Sequence, residues 1–262
     1  MTHVLRMLAV FYRTSIQTDI EYRADFFTRI VASVLSMFTT IGALAVAYNY
    51  TSNVRGWSFS QALVLIAVYY LMDGLVETFI GPNMRQVMSQ VREGTLDFVL
   101  VKPVNAQFMA TMRTLNIWRA ANALIGLGLC GYSTQRLAIQ VGPHEAPLFV
   151  ASIAAAVAIV YSLWLVLVTL TFWFVRIDNL EQVMWQAFEA GRYPIEIYPP
   201  WLRGALTYVI PIVFIIGVPA EALAGRAGSA SVLGALVVGG VSLVGSSLFW
   251  RFGLRFYSGA SS

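Results

Sequence analysis

Residues 146–175 read APLFVASIAAAVAIVYSLWLVLVTLTFWFV, a stretch without one charged side chain. A helix needs about 20 apolar residues to cross a bilayer, so this stretch is long enough to span one with some tilt. The rest of the chain has the same character, because 58% of its residues are hydrophobic and only 11% are charged. Soluble domains carry about 25% charged residues. The sequence therefore predicts a membrane protein.

Further apolar stretches lie on both sides of this one. We predict an all-α integral membrane protein with about six transmembrane helices and an N-terminal amphipathic interfacial helix over residues 1–24, whose arginines would meet the lipid headgroups. Pro211 and Pro219 interrupt the fifth span and favour a kinked or broken helix there. The six predicted spans cover residues 30–48, 62–81, 115–133, 146–175, 205–220 and 227–250.

The distribution of positive charge sets the predicted orientation. Cytoplasmic loops of membrane proteins carry an excess of Lys and Arg. With the N-terminus inside, 14 of the 17 Lys and Arg residues fall on the cytoplasmic side, and only Arg55, Arg136 and Arg226 fall outside. We therefore expect a multi-pass inner-membrane protein with both termini cytoplasmic, and residues 176–204 as a second cytoplasmic segment. This segment could add contacts to a partner or form an interfacial helix on lipid, and both alternatives stay open.

Several kinds of site are excluded by residue counts and context. A P-loop needs Gly-Lys followed by Ser or Thr, whereas the single lysine, Lys102, precedes Pro103. Any ATP must therefore be bound by another chain. One cysteine and two histidines provide neither a disulfide nor a metal cluster. The arginines form no basic stripe for nucleic acid, and the GLGLCG run at 126–131 lies in an apolar span, where small residues serve helix packing.

Two acids, Asp73 and Glu77, lie in the second predicted span. Residues four apart share one helix face, and a charged side chain at membrane depth costs about 2.5–3.5 kcal/mol on insertion scales. They should therefore not face lipid. Two interpretations stay open at this point: the acids line a polar pathway for substrate, or they pair with arginines or polar groups on neighbouring helices.

The most informative loop covers residues 90–105, which read QVREGTLDFVLVKPVN. Charged and apolar residues alternate, Gly94 can end a helix, and Pro103 can begin the next segment. Residues 92–105 resemble the loop between spans two and three of ABC-2-type exporter permeases, in the branch with the pattern R-E-G-x-L-D-x-x-L-x-K-P-V-N. Other similar features follow in the same order along nearly the whole chain: Gly56-Trp57-Ser58, Phe172-Trp173, Tyr193-Pro194, Tyr198-Pro199, Pro211, Pro219 and the tail at 253–258.

The resemblance implies a single permease domain over residues 1–262 that dimerises with an identical or related permease. The dimer would lie on two copies of a separate P-loop ATPase, which would bind ATP and Mg²⁺, while this chain would hold no cofactor itself. A short coupling helix in a cytoplasmic coupling loop at residues 82–106 would contact the ATPase. The coupling residues implied are Arg92, Glu93, Gly94, Leu96, Asp97, Lys102 and Pro103.

A second hypothesis comes from a different class of transporter. An ATP-independent secondary transporter could use Asp73 and Glu77 as proton or cation carriers. Many secondary transporters contain inverted repeats, and no internal repeat is visible in this sequence. An integral membrane enzyme has little support, because the chain shows no convergent group of acid and base residues.

Overall fold

The computed structural model describes residues 12, 23–101, 105–136, 145–174 and 178–257. Helices account for most of these ranges, and no named strand occurs in them, so the predicted all-α class is confirmed. The expected interfacial helix at 1–24 lies almost entirely outside the described residues. The helices are α1 Arg23–Asn49, α2 Phe59–Leu75, α3 Gly81–Arg92, α4 Asp97–Leu100, α5 Ala106–Thr111, α6 Ala120–Arg136, α7 Glu145–Leu170, α8 Asp178–Ala190, α9 Pro200–Tyr208, α10 Val218–Leu223 and α11 Ser229–Gly253.

Among the described residues, four helical stretches are long and apolar enough to cross a membrane: Ile30–Asn49, Phe59–Arg92, Glu145–Leu170 and Ser229–Phe256. The stretch Phe59–Arg92 joins α2 to α3 through a π-helical turn. The pair formed by α9 and the segment Val213–Leu223 is bent by 71° and is either a broken fifth span or a re-entrant loop. The third predicted span, residues 115–133, corresponds to α6. This helix has 17 residues and is about 25 Å long at 1.5 Å per residue.

Small residues allow two pairs of helices to pack closely. Gly126 of α6 lies against the backbone of Leu71 in α2, and Gly74 lies against Ala123, so α2 and α6 run antiparallel. The packing function predicted for the GLGLCG run is thus confirmed at Gly126. At Gly128, by contrast, a Cβ atom would have no neighbour within 4 Å.

The second pair of helices runs parallel. Gly239 of α11 lies against Ala155 of α7, and Gly253 lies against Thr169 and Phe172 near the end of α7. Residue numbers thus increase in the same direction along both helices. Parallel helices agree with the prediction that both of these spans run from the outer side inward.

Part of the predicted second cytoplasmic segment lies at the Trp57 end of α2, and its cytoplasmic location stays a prediction. Trp57, Glu196 and Glu221 line one small cavity, and the guanidinium of Arg226 lies 4.5 Å from the centre of the Trp57 ring. Glu196 is therefore at the Trp57 end of α2, whereas a segment lying wholly in the cytoplasm would remain near Arg92. Those two ends are separated by a helix of 34 residues, about 51 Å at 1.5 Å per residue.

Charged side chains of this second segment are paired with residues of the helical bundle. Glu181 of α8 bonds Arg85 of α3, and the Arg192 guanidinium donates to the Tyr69 hydroxyl of α2 at 2.8 Å. Arg192 also lies over the Tyr69 ring, 4.3 Å from its centre. The charges that suggested an aqueous segment instead attach the segment along α2. We infer that residues 178–204 extend from one end of the bundle towards the other.

This path can be tested by cysteine labelling. We expect Arg203→Cys, in a Cys130→Ser background, to react with a membrane-impermeant maleimide added outside spheroplasts, because exposed Arg203 donates to the Glu196 carbonyl at the Trp57 end. The matched control is Val101→Cys, in the coupling loop, which should react only after permeabilisation. Reaction of both positions only after permeabilisation would restore a single cytoplasmic segment.

Candidate coupling loop and buried ion pairs

A π-helical turn at Val76–Ile80 interrupts the long helix formed by α2 and α3. Pro82 follows this turn and has no N–H, so it cannot bond the Thr78 carbonyl four residues earlier. In the structure, that carbonyl accepts a hydrogen bond from the backbone N–H of Asn116 at 3.1 Å. π turns inside α-helices are frequent at functional sites, and this turn carries Glu77.

Glu77 is buried, with 6% of its surface exposed. Its carboxylate accepts two hydrogen bonds from the Arg85 guanidinium, at 3.1 and 2.9 Å. A side chain at Gly81 would lie 2.7 Å from a carboxylate oxygen of Glu77, so glycine leaves the space in which the pair forms. Bidentate pairs of this kind are among the stronger hydrogen-bonded interactions in proteins.

The ion pair extends to two further elements. Arg85 also bonds Glu181 of α8 at 3.3 Å, and the Nε of Arg119, just before α6, lies 3.9 Å from the Glu77 carboxylate. Asp73 accepts a hydrogen bond from the Asn122 amide of α6 at 2.8 Å. Both acids identified in the sequence therefore have partners inside the chain, as the pairing interpretation expects. A role for them in a substrate pathway stays a prediction.

The coupling loop has a defined fold after α3. Gly94 has a positive φ of 68°, its N–H bonds the Val91 carbonyl, and the Thr95 N–H bonds the Gln90 carbonyl. This pair of bonds around a left-handed glycine is the Schellman motif that ends many helices. Gly94 thus stops α3 and turns the chain into the four-residue α4.

The single turn of α4, together with the residue on each side of it, has two different faces. Leu96 and Val99 are buried, with 0% and 4% of their surfaces exposed, whereas Phe98 and Val101 are 75% and 81% exposed. The buried pair attaches α4 to the rest of the protein. Apolar side chains that point away from the fold commonly form contacts with a partner protein.

The predicted coupling residues occupy different positions. Arg92 and Glu93 are exposed, Leu96 is buried, and Asp97 is half-buried. Burial raises the pKa of the Tyr257 hydroxyl, and the Asp97 carboxylate raises it further. Gly94 forms the turn described above; Lys102 and Pro103 lie outside the described residues.

Sequence reasoning missed Phe98 and Val101, which occupy unspecified positions of the motif, although both are apolar residues in a charged loop.

Asn83 connects α3 to the residues that precede α6. Its amide nitrogen donates to the carbonyls of Phe79 and Thr114, at 2.8 and 2.7 Å. Its amide oxygen accepts from the N–H groups of Arg113 and Thr114, at 2.9 and 2.6 Å. The fully buried side chain thereby uses both donors and its acceptor oxygen. Nothing in the local sequence indicated this function, because the partners lie about 30 residues away.

These observations define a class of protein: a multi-pass, all-α membrane protein with internally paired charges and a folded loop at the end of its longest helix. The chain belongs to the ABC-2 transporter family, because the family model described as an ABC-2 family transporter protein matches residues 34–261. It is therefore a membrane permease of an ABC transporter, the transmembrane component rather than the catalytic one. No curated protein matches the chain.

The ion pair makes a prediction about stability. Glu77→Gln would leave Arg85 half-buried with only Glu181 as an acidic partner, so we expect about 2 kcal/mol of destabilisation. This is less than the 3–5 kcal/mol typical of a fully uncompensated buried charge. Thermal unfolding in detergent would measure the loss. The double variant Glu77→Gln with Arg85→Met should recover much of it, and equal stability of Glu77→Gln and the unmodified protein would contradict the role given to the pair.

A second prediction concerns Asn83. Asn83→Ala removes four hydrogen bonds and leaves buried backbone groups without partners, so we expect about 3 kcal/mol of destabilisation. We also expect faster proteolysis at residues 105–116, which lose their attachment to α3. The matched control is Asn116→Ala, which keeps its backbone bond to Thr78 and should have little effect. Equal behaviour of the two variants would show that Asn83 does not hold this segment.

Proposed function

We propose that this chain is the transmembrane subunit of an ATP-driven exporter in the bacterial inner membrane, with both termini cytoplasmic. It dimerises with an identical or related permease and rests on two copies of a separate P-loop ATPase, which bind ATP and Mg²⁺. Membership in the ABC-2 family supports the proposal. The sequence supports it as well, since its single lysine is not part of a P-loop.

The observation that carries the proposal is the exposed apolar surface of α4. The helix from Phe59 to Arg92 contains 34 residues, about 51 Å at 1.5 Å per residue. The hydrocarbon core of a bilayer is only about 30 Å thick. The helix is therefore longer than the core, and we place the excess at the α3 end, where Phe98 and Val101 would meet water unless a protein covers them. A soluble subunit with an apolar groove is the partner that fits this surface.

The connections of the coupling loop suggest how force reaches the membrane. Closure of the two ATPases on ATP pushes against α4, and the Schellman turn at Gly94 joins α4 directly to α3. Because α3 continues into α2 and Asn83 attaches the residues before α6, a push on the loop tilts α2 and α6 together. Substrate then moves out of the cytoplasm or between leaflets.

Loss of the exposed surface should separate the two subunits. We expect Phe98→Ala with Val101→Ala to weaken association with the ATPase at least tenfold, about 1.4 kcal/mol, because exposed aromatic residues often dominate an interface. Co-purification with a candidate P-loop ATPase, followed by titration in nanodiscs, would measure the change. Phe38→Ala is the matched control, since Phe38 is 62% exposed on the apolar span of α1.

Two results would contradict this proposal. The first is an unmodified chain that binds no ATPase under these conditions. The second is a chain that, alone in liposomes, moves protons or cations down an imposed gradient and loses this activity in Asp73→Asn with Glu77→Gln. The second result would favour the secondary transporter instead.

A further inference from the structure

A polar cluster joins α5, the helix that follows the coupling loop, to two long helices. The side-chain amide of Gln107 donates to the Tyr161 hydroxyl of α7 and to the Ser247 hydroxyl of α11, both at 3.1 Å. Thr111, at the end of α5, lies 3.0 Å from the same Tyr161 hydroxyl. One short helix is thereby bonded to both members of the parallel pair α7 and α11.

The direction of each hydrogen bond can be worked out. The Thr111 hydroxyl has one hydrogen, which it donates to the Gln107 carbonyl at 2.8 Å. Tyr161 must therefore donate its own hydrogen to Thr111 while it accepts one from Gln107. The bonds form a chain that runs from the Gln107 side-chain amide through Tyr161 and Thr111 to the Gln107 backbone carbonyl, and successive bonds in such a chain strengthen one another.

These bonds matter because α5 has little structure of its own. A helix of six residues is too short to be stable in isolation, and its position is set by its neighbours. Met109 and Ala110 are buried, but apolar contacts are non-directional and allow sliding. The hydrogen bonds of Gln107 fix α5 in one place relative to α7 and α11.

The same tyrosine also forms part of a groove. An apolar groove of about 490 Å³ is lined by Tyr161, Met112, Phe79, Val157 and Leu243, among others. Met112 directly follows α5, Tyr161 and Val157 belong to α7, and Leu243 belongs to α11. A shift of α5 would therefore move three parts of the wall together.

We infer that Gln107, Tyr161 and Ser247 are positioning residues that carry movement of the coupling loop to α7 and α11, and thus to the wall of the apolar groove. This inference rests on the proposed function. It adds a second connection to the one through α2 and α6, because the loop pushes one pair of helices at its start and the other pair at its end.

The test measures movement of the groove without a known substrate. In a Cys130→Ser background, Leu243→Cys labelled with bimane reports the environment of the groove in the complex with the ATPase in nanodiscs. ATP with vanadate is expected to change its fluorescence. Tyr161→Phe and Ser247→Ala should each reduce that change at least fivefold while ATP hydrolysis stays within twofold. Ser247→Thr, which keeps the hydroxyl, and Tyr50→Phe, at an exposed position, should retain it.

Each other outcome overturns a specific statement. A full response in Tyr161→Phe and Ser247→Ala would overturn the inference and leave the proposed function intact. Parallel loss of ATP hydrolysis and response would also overturn it, because contact with the ATPase would then be what these residues maintain. Absence of any response in the complex without these substitutions would overturn the proposed function together with the inference.

Discussion

A backbone group in hydrocarbon must find its hydrogen-bond partner within the protein, because lipid offers none. Pro82 creates this requirement in the middle of the longest helix, where it leaves the Thr78 carbonyl without its usual donor. The helix forms a π turn, and the N–H of Asn116 donates to this carbonyl. The Asn83 side chain donates two hydrogen bonds and accepts two around the same turn. Consequently the residues before α6 are attached to the same helix from which the coupling loop departs. The loop, α3 and the start of α6 form one connected unit.

Charged groups follow the same rule and hold together elements that are distant in the chain. Arg85 joins the π turn to α8 through Glu77 and Glu181, and Arg192 joins the end of α8 to α2 through Tyr69. Removing one partner of a buried ion pair destabilises a protein strongly, yet the intact pair adds little stability compared with apolar residues of similar volume. Their value here is therefore to specify which helices meet. A segment that looks too polar for the membrane can thus lie along the bundle.

The coupling loop combines a rigid attachment with a free apolar face. Leu96 is buried while Phe98, two residues later, is exposed, so a single turn of helix both fixes α4 and presents a surface. At the far end of the loop, Gln107 bonds α7 and α11. In the proposed exporter, a force applied to the loop would have two routes into the membrane. One runs through covalent helix continuity and the other through hydrogen bonds.

Local pattern was enough to predict the membrane class, most of the spanning stretches, the small-residue contact at Gly126 and the family, because apolar run length and a motif of consecutive residues depend only on neighbours in the chain. Pairing of Glu77 was foreseen as one of two possibilities, but its partner was not. Tertiary structure decided that Arg85 meets Glu181, 96 residues away, that Leu96 points inward, and that Glu196 lies beside Trp57. The physical reason is that the sequence shows only that a charged side chain needs a polar partner and that an apolar side chain needs to be buried. Which residues meet these needs depends on how distant helices pack.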